Sequence, residues 1–352
     1  MRTIKRAFLR NILLIVAAVG FGLVVYGARH QLDETWQLLT SVQPLALIAL
    51  PLTQLASYFF LSQYYRTMIA NFGRTMGNWR AFGTTIALNF VNQILPSGGA
   101  SGITYVIYAY RDMVDGGKVT LVQLGRYVLA FLTYVPLLVA AMFWLAASGD
   151  FSGQIKNVLI ILMLISLPGT ALLVLALSKQ KLVDTVLGWV LRALNQLIAV
   201  FTRGRRAPII VSRSSGFMKE FHDGVVFLKS QGHRIIVPYL FMQLSTIAEV
   251  LIVNLAFTAI GVDVNPGILL LAFTAANVVG VVSVIPGDVG VHELTMITVL
   301  GYVGIDQSTA IAGTLLYRIY NKLISLSIGF IFYLRFLKPL IRNAKGGGSD
   351  SG

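Results

Sequence analysis

An apolar region of the chain, residues 267–303, is interrupted near its middle by the sequence Val284-Ile285-Pro286-Gly287-Asp288-Val289-Gly290-Val291-His292-Glu293. Proline removes a backbone hydrogen bond from a helix and glycine frees the backbone, so this region predicts two shorter helices with a break between them. A second apolar region, residues 81–110, is interrupted in the same way by Ile94-Leu95-Pro96-Ser97-Gly98-Gly99-Ala100-Ser101-Gly102. Two broken helices in one chain are typical of membrane transporters.

The composition of the whole chain also predicts a membrane protein. Of its 352 residues 56% are hydrophobic and only 12% are charged, about half of the roughly 25% typical of soluble domains. This balance excludes a soluble enzyme, a coiled coil and a disordered chain. Apolar runs of bilayer-crossing length predict about six full spans in addition to the two interrupted hairpins. These spans are predicted at 11–28, 44–64, 121–147, 156–177, 235–260 and 308–336.

The distribution of Lys and Arg predicts the orientation of the spans. The chain carries 28 of these residues against 14 Asp and Glu, a net charge of +14, and they concentrate at both ends and in a few loops. The positive-inside rule places those segments, including a connector at 178–234, in the cytoplasm. Region 81–110 must then start and end inside, and region 267–303 must start and end outside. Residues 44–147 and 235–336 thus form two units of opposite topology, the inverted-repeat pattern of many transporters.

The predicted fold is an all-α polytopic membrane protein with two inverted-topology repeats, each containing a broken-helix pair. A single transmembrane domain is expected over residues 1–340, followed by a flexible tail at 341–352. Both termini are predicted to be cytoplasmic, and the membrane is predicted to be the cytoplasmic (inner) membrane. The interrupted pairs are either re-entrant hairpins or pairs of full crossings, and a length of about 14–19 residues per arm favours deep re-entrant or tilted arms.

Charged residues inside the apolar spans are the strongest functional signal, because a charge at mid-bilayer costs at least about 2.5–3.5 kcal/mol unless it is compensated. Glu249 lies near the middle of its span, and Arg318 and Lys322 are four residues apart, hence on one helix face. Either a carboxylate pairs with a cation only to hold helices together, or the cations receive an anionic head group or substrate while a carboxylate balances them. With Glu249 as the charge-balancing residue, the predicted substrate-binding residues are Asn92, Pro96, Gly98, Gly99, Ser101, Arg126, Pro286, Gly287, Asp288, Gly290, His292, Glu293, Arg318 and Lys322.

The two breaks also expose backbone N–H groups. Helices beginning near Ser101 and Val291 are expected to point their N-termini at the bundle centre, where the helix dipole favours a phosphate or carboxylate. Alternatively, the glycines only form tight turns. No catalytic residue, metal site or cofactor is predicted: Met296 replaces the second His of a zinc-binding His-Glu-x-x-His motif, and the chain has no Cys.

These motifs resemble the transmembrane region of lysylphosphatidylglycerol synthases and its stand-alone flippase-like relatives. The sequence Ile285-Pro286-Gly287-Asp288-Val289-Gly290-Val291-His292-Glu293 is similar to the family's Pro-Gly-Gly-Leu-Gly-x-x-Glu, and Leu316-Tyr317-Arg318-Ile319-Tyr320 to its Tyr-Arg-(aliphatic) motif. Asn92-x-x-Leu95-Pro96-x-Gly98-Gly99 matches the family's first Pro-Gly break, and the resemblance covers roughly residues 10–337. The chain differs from the family pattern at Ala100-Ser101, where a Glu is common, at Gly125-Arg126, where Glu-Arg is common, and at Asp288, where Gly is typical.

The resemblance and the charged residues together predict translocation of an amphiphilic lipid, with an anionic or zwitterionic head group, between leaflets. The protein is not expected to be an enzyme, since it lacks the aminoacyl-transferase domain of bifunctional relatives. Membrane lipids are the predicted partners and nucleic acid is not, because basic residues between apolar runs suit anionic head groups.

Two other functions stay open. One is a non-transporting lipid-binding or scaffolding subunit that recruits a partner enzyme through the basic connector 178–234. That connector is either an interfacial amphipathic helix or a solvated loop. The other is an ion-coupled small-solute transporter. The sequence does not predict which lipid is moved, in which direction, or in which oligomeric state.

Overall fold

The computed structural model describes residues 37, 40, 42–94, 100–178, 220, 222–227, 230, 232–282, 288 and 290–346. The described residues are almost entirely helical, and none of them forms a β-strand. The predicted span 11–28 and most of the connector 178–234 lie outside the described residues. The described ranges contain nine helices of at least eleven residues. These are α1 (Pro44–Asn71), α2 (Asn78–Ile94), α3 (Ala100–Tyr110), α4 (Gly116–Ala147), α5 (Gly153–Ser178), α6 (Ile236–Ala259), α7 (Pro266–Val282), α8 (Val291–Tyr302) and α9 (Gln307–Gly346).

Five of these helices, α1, α4, α5, α6 and α9, are long and apolar enough to cross a membrane. They confirm the five predicted spans from 44–64 to 308–336, and α9 continues to Gly346, past the start of the predicted tail. Pro51, Pro136 and Pro168 lie inside α1, α4 and α5. Membrane helices tolerate such prolines because neighbouring helices and local adjustments satisfy the freed backbone groups.

Each interrupted apolar region forms two shorter helices, as predicted. Region 81–110 forms α2 and α3, and region 267–303 forms α7 and α8. The predicted helix starts near Ser101 and Val291 agree with the observed starts at Ala100 and Val291. Five predicted site residues fall in the breaks, outside the described residues: Pro96, Gly98, Gly99, Pro286 and Gly287.

The buried apolar side chains form two separate cores. α1 and α9 begin in one core and end in the other, whereas α4 and α6 run between the cores in the opposite order. The buried side chains of α2 and α3 that join a core join only the second one, which also contains the end of α1 and the start of α4. Those of α7 and α8 join only the first, with the end of α4 and the end of α6. The two broken-helix pairs are therefore packed at opposite ends of the long helices.

The helices contact one another in matching pairs. α2 contacts α3 as α7 contacts α8, and α3 contacts α4 as α8 contacts α9. Between the two units, α1 runs along α6, α2 packs against α9, and α4 packs against α7. If α1, α2, α3 and α4 are replaced by α6, α7, α8 and α9, and the reverse, each of these contacts becomes a contact that is also observed.

Two glycines of α9 allow close approach of neighbouring helices. A Cβ at Gly313 would lie 2.4 Å from Cζ of the buried Phe257 on α6. A Cβ at Gly329 would lie 2.6 Å from Cβ of Phe90 on α2. In a membrane the hydrophobic effect does not drive helices together, because lipid tails are as apolar as the side chains. Small residues at helix contacts therefore favour association by allowing close van der Waals packing.

The end of the connector is docked on the helical bundle. The Glu220 carboxylate accepts the backbone N–H of Gly117, in the first turn of α4, at 3.0 Å. Residues 222–227 are helical, and the ring of Phe227 lies 5.7 Å from that of Phe72 beyond the end of α1. A carboxylate at a helix N-terminus is stabilised by the helix dipole.

Arg80 joins the outer ends of α2 and α3. Its guanidinium donates to the Asp112 carboxylate at 2.7 Å and to the carbonyl of Ala109 at 3.0 Å. The hydrogen bond from Arg80 lowers the pKa of the Asp112 carboxyl because it stabilises the ionised form. Both side chains are exposed, so the pair contributes little to stability.

Candidate functional site

Polar side chains separate the two apolar cores at the middle of the long helices. On α1 they follow Leu50 of the first core and precede Tyr58 of the second. On α9 they lie between Tyr317 and Ile324, again where one core ends and the other begins. We call this group the polar layer: Gln54, Ser57, Ser245, Glu249, Arg318, Asn321 and Lys322.

Arg318 of the polar layer forms a buried ion pair. Nε of Arg318 on α9 donates to Oε1 of Glu293 on α8 at 2.5 Å, and the two side chains are only 9% and 13% exposed. The pair therefore joins the helix that follows the second break to the last long helix. The sequence predicts that a carboxylate pairs with a cation of the last span. The structure forms the pair of Glu293 with Arg318.

The start of α8 explains how Glu293 is held. Gly290 precedes the helix with φ of +86°, a conformation that glycine adopts without steric cost. The other carboxylate oxygen of Glu293 accepts the N–H of Gly290 at 2.7 Å. One of the N–H groups expected to bind a phosphate is therefore already satisfied by the protein, and the same carboxylate also binds Arg318.

Two more charged groups adjoin this pair. Lys322 lies one helical turn after Arg318 and is half-buried. Its ammonium interacts electrostatically with Asp288, Glu293 and Glu249. Asp288 is also half-buried, and its carboxylate lies against α7, with Oδ2 3.4 Å from where a Cβ of Gly280 would be.

His292 is buried beside the ion pair, with 3% of its surface exposed. Its ring lies 5.8 Å from that of Tyr317 and 6.5 Å from that of Phe273. Among the described residues Nδ1 has no hydrogen-bond partner. The aromatic surroundings give His292 a packing role that its place in the motif does not predict.

Glu249 is held by neutral donors rather than by a cation. Its Oε1 accepts the Ser57 hydroxyl at 2.6 Å and the Gln54 amide at 2.9 Å. The Asn321 amide lies 3.4 Å from Oε2 and donates to Gln54 Oε1 at 3.0 Å. Within the described part of the chain, no Lys, Arg or His nitrogen lies within 4.0 Å of this carboxylate. The expected alternative pairing of Glu249 with Arg318 or Lys322 is thus replaced by a hydrogen-bonded network across α1, α6 and α9.

Arg126 on α4 also interacts with neutral groups. Its Nη1 donates to the Tyr65 hydroxyl at 3.4 Å, and that hydroxyl donates to Gln123 Oε1 at 2.5 Å. No carboxylate oxygen of the described residues lies within 4.0 Å of it, although it interacts electrostatically with Glu249. Arg126 therefore faces the same interior as the polar layer without an ion pair of its own.

The predicted residues of the first break are brought together differently. The Asn92 side chain at the end of α2 packs against α3, where a Cβ at Gly102 would lie 2.5 Å from Asn92 Oδ1. Ser101 lies in the first turn of α3. Asn92 thus bridges the first break by an amide contact.

Sequence reasoning missed Gln54, Ser57 and Asn321, which hold Glu249. A usable signal was present: Gln54 and Ser57 are polar, three residues apart, and lie inside an apolar span. Uncharged polar residues at that spacing share a helix face and hydrogen-bond between membrane helices.

The apolar helices that surround this polar interior define a multi-pass membrane protein. The family model described as "Lysylphosphatidylglycerol synthase TM region" matches residues 12–329, so the chain belongs to this family of membrane proteins. The match confirms the resemblance of the Pro-Gly and Tyr-Arg motifs. No curated protein sequence matches the chain.

Proposed function

We propose that the protein translocates an amphiphilic lipid between the two leaflets of the cytoplasmic membrane, without acting as an enzyme and without a cofactor. The observation that carries the proposal is the buried Arg318–Glu293 pair, which places a cation beside a helix break in the interior of an apolar bundle. Membership of a lipid-related membrane family supports it. Charges in a membrane interior are retained mainly where they serve a substrate or ion path.

In this proposal the lipid head group enters the polar layer and its phosphate contacts Arg318 and Lys322. Arg126 contacts the same head group from α4, and the carboxylates of Glu293 and Glu249 keep the cations balanced when the site is empty. A guanidinium suits this role because it offers five donors in a planar fork and stays charged. The acyl chains would remain in the bilayer, so only the head group needs a polar path.

The architecture that we propose is a pair of inverted repeats, α1 to α4 and α6 to α9, with α2–α3 and α7–α8 as re-entrant hairpins. The matching helix contacts support the repeat, and the packing of each hairpin within a single core supports re-entry. The basic ends and connector would then face the cytoplasm. Motion of one hairpin against the other would open the polar layer to alternate leaflets.

The test is leaflet exchange of fluorescent phospholipids in proteoliposomes. Arg318→Gln should lower the exchange rate about tenfold or more, because one charged hydrogen bond to the head group is lost. Arg74→Gln is the matched control, since Arg74 is exposed in the loop between α1 and α2. Arg318→Gln alone leaves the Glu293 carboxylate without its partner. The double variant Glu293→Gln/Arg318→Gln replaces both charges by neutral amides, and it should still be inactive because the cation for the head group is missing.

Several outcomes would contradict the proposal. The wild-type protein could fail to exchange lipids of every head group tested, which would favour a scaffolding subunit or a small-solute transporter. Unchanged exchange in both Arg318→Gln and Lys322→Gln would show that these cations are not on the lipid path.

A further inference from the structure

Asp288 is the one non-glycine residue of the described chain with a positive φ, at +55°. Side chains with a Cβ reach this left-handed region only at a steric cost that glycine does not incur. Asp tolerates the region better than most residues, but glycine would be free of strain there. Strained backbone that persists at a helix break is a reason to look for a function of the side chain.

Among the described residues, none gives the Asp288 side chain a structural task. No described residue donates a hydrogen bond to its carboxylate, and the nearby N–H of Gly290 is taken by Glu293. The carboxylate lies beside α7, with Oδ2 3.4 Å from where a Cβ of Gly280 would be. Within the part of the chain that the structure describes, Asp288 therefore neither caps α8 nor bonds to α7, and its half-buried carboxylate has open acceptor positions.

The charges around Asp288 indicate what those positions accept. Its carboxylate interacts electrostatically with Lys322, Arg318 and Glu293. Asp288 and these three groups together are two cations and two carboxylates, a set without net charge. Without Asp288 the set would carry one net positive charge and would favour anionic head groups.

We propose that Asp288 is a specificity-determining residue, which makes this site select zwitterionic phospholipids over anionic ones. The head-group phosphate lies on the cations of α9, and its ammonium lies on the open oxygens of Asp288. The inference rests on the proposed function, because it assigns the head-group class of the same site. A carboxylate in this position attracts the ammonium of a zwitterionic head group, whereas the neutral glycerol of phosphatidylglycerol offers it no opposite charge.

The test compares retention of phosphatidylethanolamine and phosphatidylglycerol by the full-length protein in detergent, from an equal mixture, by native mass spectrometry. The wild-type protein should retain more phosphatidylethanolamine. Asp288→Asn and Asp288→Gly should both shift the retained ratio about tenfold towards phosphatidylglycerol, since one charged contact is lost. Asp288→Asn keeps a Cβ at the positive φ and Asp288→Gly removes it, so an equal shift assigns the effect to the charge and not to the backbone. Asp263→Asn, in an exposed loop, is the control and should keep the wild-type ratio.

An unchanged ratio in Asp288→Asn, a wild-type preference for phosphatidylglycerol, or a shift in only one Asp288 variant would overturn the proposal. Leaflet exchange of the same two lipids separates this result from the translocation hypothesis. A shifted ratio with no wild-type exchange would reject translocation and leave the selectivity of Asp288 standing. Wild-type exchange with an unshifted ratio would support translocation and reject the selectivity of Asp288.

Discussion

The two broken helices are held by different forces. At the second break Glu293 binds both the backbone of Gly290 and the guanidinium of Arg318, so charge connects the break to α9. At the first break the amide of Asn92 packs against Gly102, and the cation of the corresponding long helix, Arg126, donates its hydrogen bond to a phenol.

This difference shows that similar helix layouts do not imply similar chemistry. The second unit concentrates fixed charge at its break, where an ion pair in a low dielectric is strong only while both partners are present. The first unit uses close packing and neutral donors, which are less sensitive to the loss of one group. Substitutions at the second break should therefore lower the stability of the protein more than substitutions at the first break.

The largest effect is expected from breaking the ion pair on one side. Glu293→Gln or Arg318→Gln leaves a buried charge without its partner and should lower the free energy of unfolding by about 3–5 kcal/mol. The double variant Glu293→Gln/Arg318→Gln should lose clearly less than the sum of the single variants, because it leaves no isolated charge. Thermal unfolding of the purified protein in detergent measures all three. Strictly additive losses would contradict a direct pair.

An intermediate effect is expected from adding one methyl group at each break. Gly102→Ala should destabilise the protein by about 1–3 kcal/mol, because its Cβ would meet Asn92 Oδ1 at 2.5 Å. Gly280→Ala is the matched change on α7, where the nearest atom, Asp288 Oδ2, is 3.4 Å away. It should be neutral or slightly stabilising, since alanine favours a helix.

The same unfolding measurement tests the packing contrast. Combining Gly102→Ala with Asn92→Ala removes the clashing amide and should recover part of the loss. Equal effects of Gly102→Ala and Gly280→Ala would mean that the first break is not more tightly packed than the second.

Much of the fold could be predicted from the sequence because its signals are long. Bilayer-length apolar runs predict α1, α4, α5, α6 and α9, and the Pro-Gly sequences predict that α2–α3 and α7–α8 are separate helices. The helix ends agree less well: α1 continues to Asn71, seven residues beyond the predicted 44–64 span. Polar residues such as Tyr65 and Arg66 extend the helix beyond the apolar stretch, and hydropathy does not register them.

The site could be predicted only in part, since spacing does not give side-chain partners. The presence of Glu293 and Arg318 in motifs indicated that they matter, but only the packing of α8 on α9 shows that they pair. Glu249 is predicted to balance a cation, but the sequence does not predict that Gln54 and Asn321 hold its carboxylate. Such neutral partners come from helices far apart in sequence, and no local pattern specifies which helix faces which.

The smallest effect is expected at the phenol that contacts Arg126. Tyr65→Phe removes the hydroxyl that donates to Gln123 and accepts from Arg126, which should cost about 1 kcal/mol of stability. Tyr64→Phe is a matched control: its hydroxyl is equally buried and donates at 2.6 Å to the carbonyl of Val122, and no hydrogen bond joins it to Arg126 among the described residues. Both variants should lose similar stability in thermal unfolding, because each loses one buried hydrogen bond. Only Tyr65→Phe should also slow lipid exchange several-fold, since it alone releases the Arg126 side chain from its position. Equal slowing in both variants would assign the effect to helix packing, and the first unit would then contribute no head-group contact through Arg126.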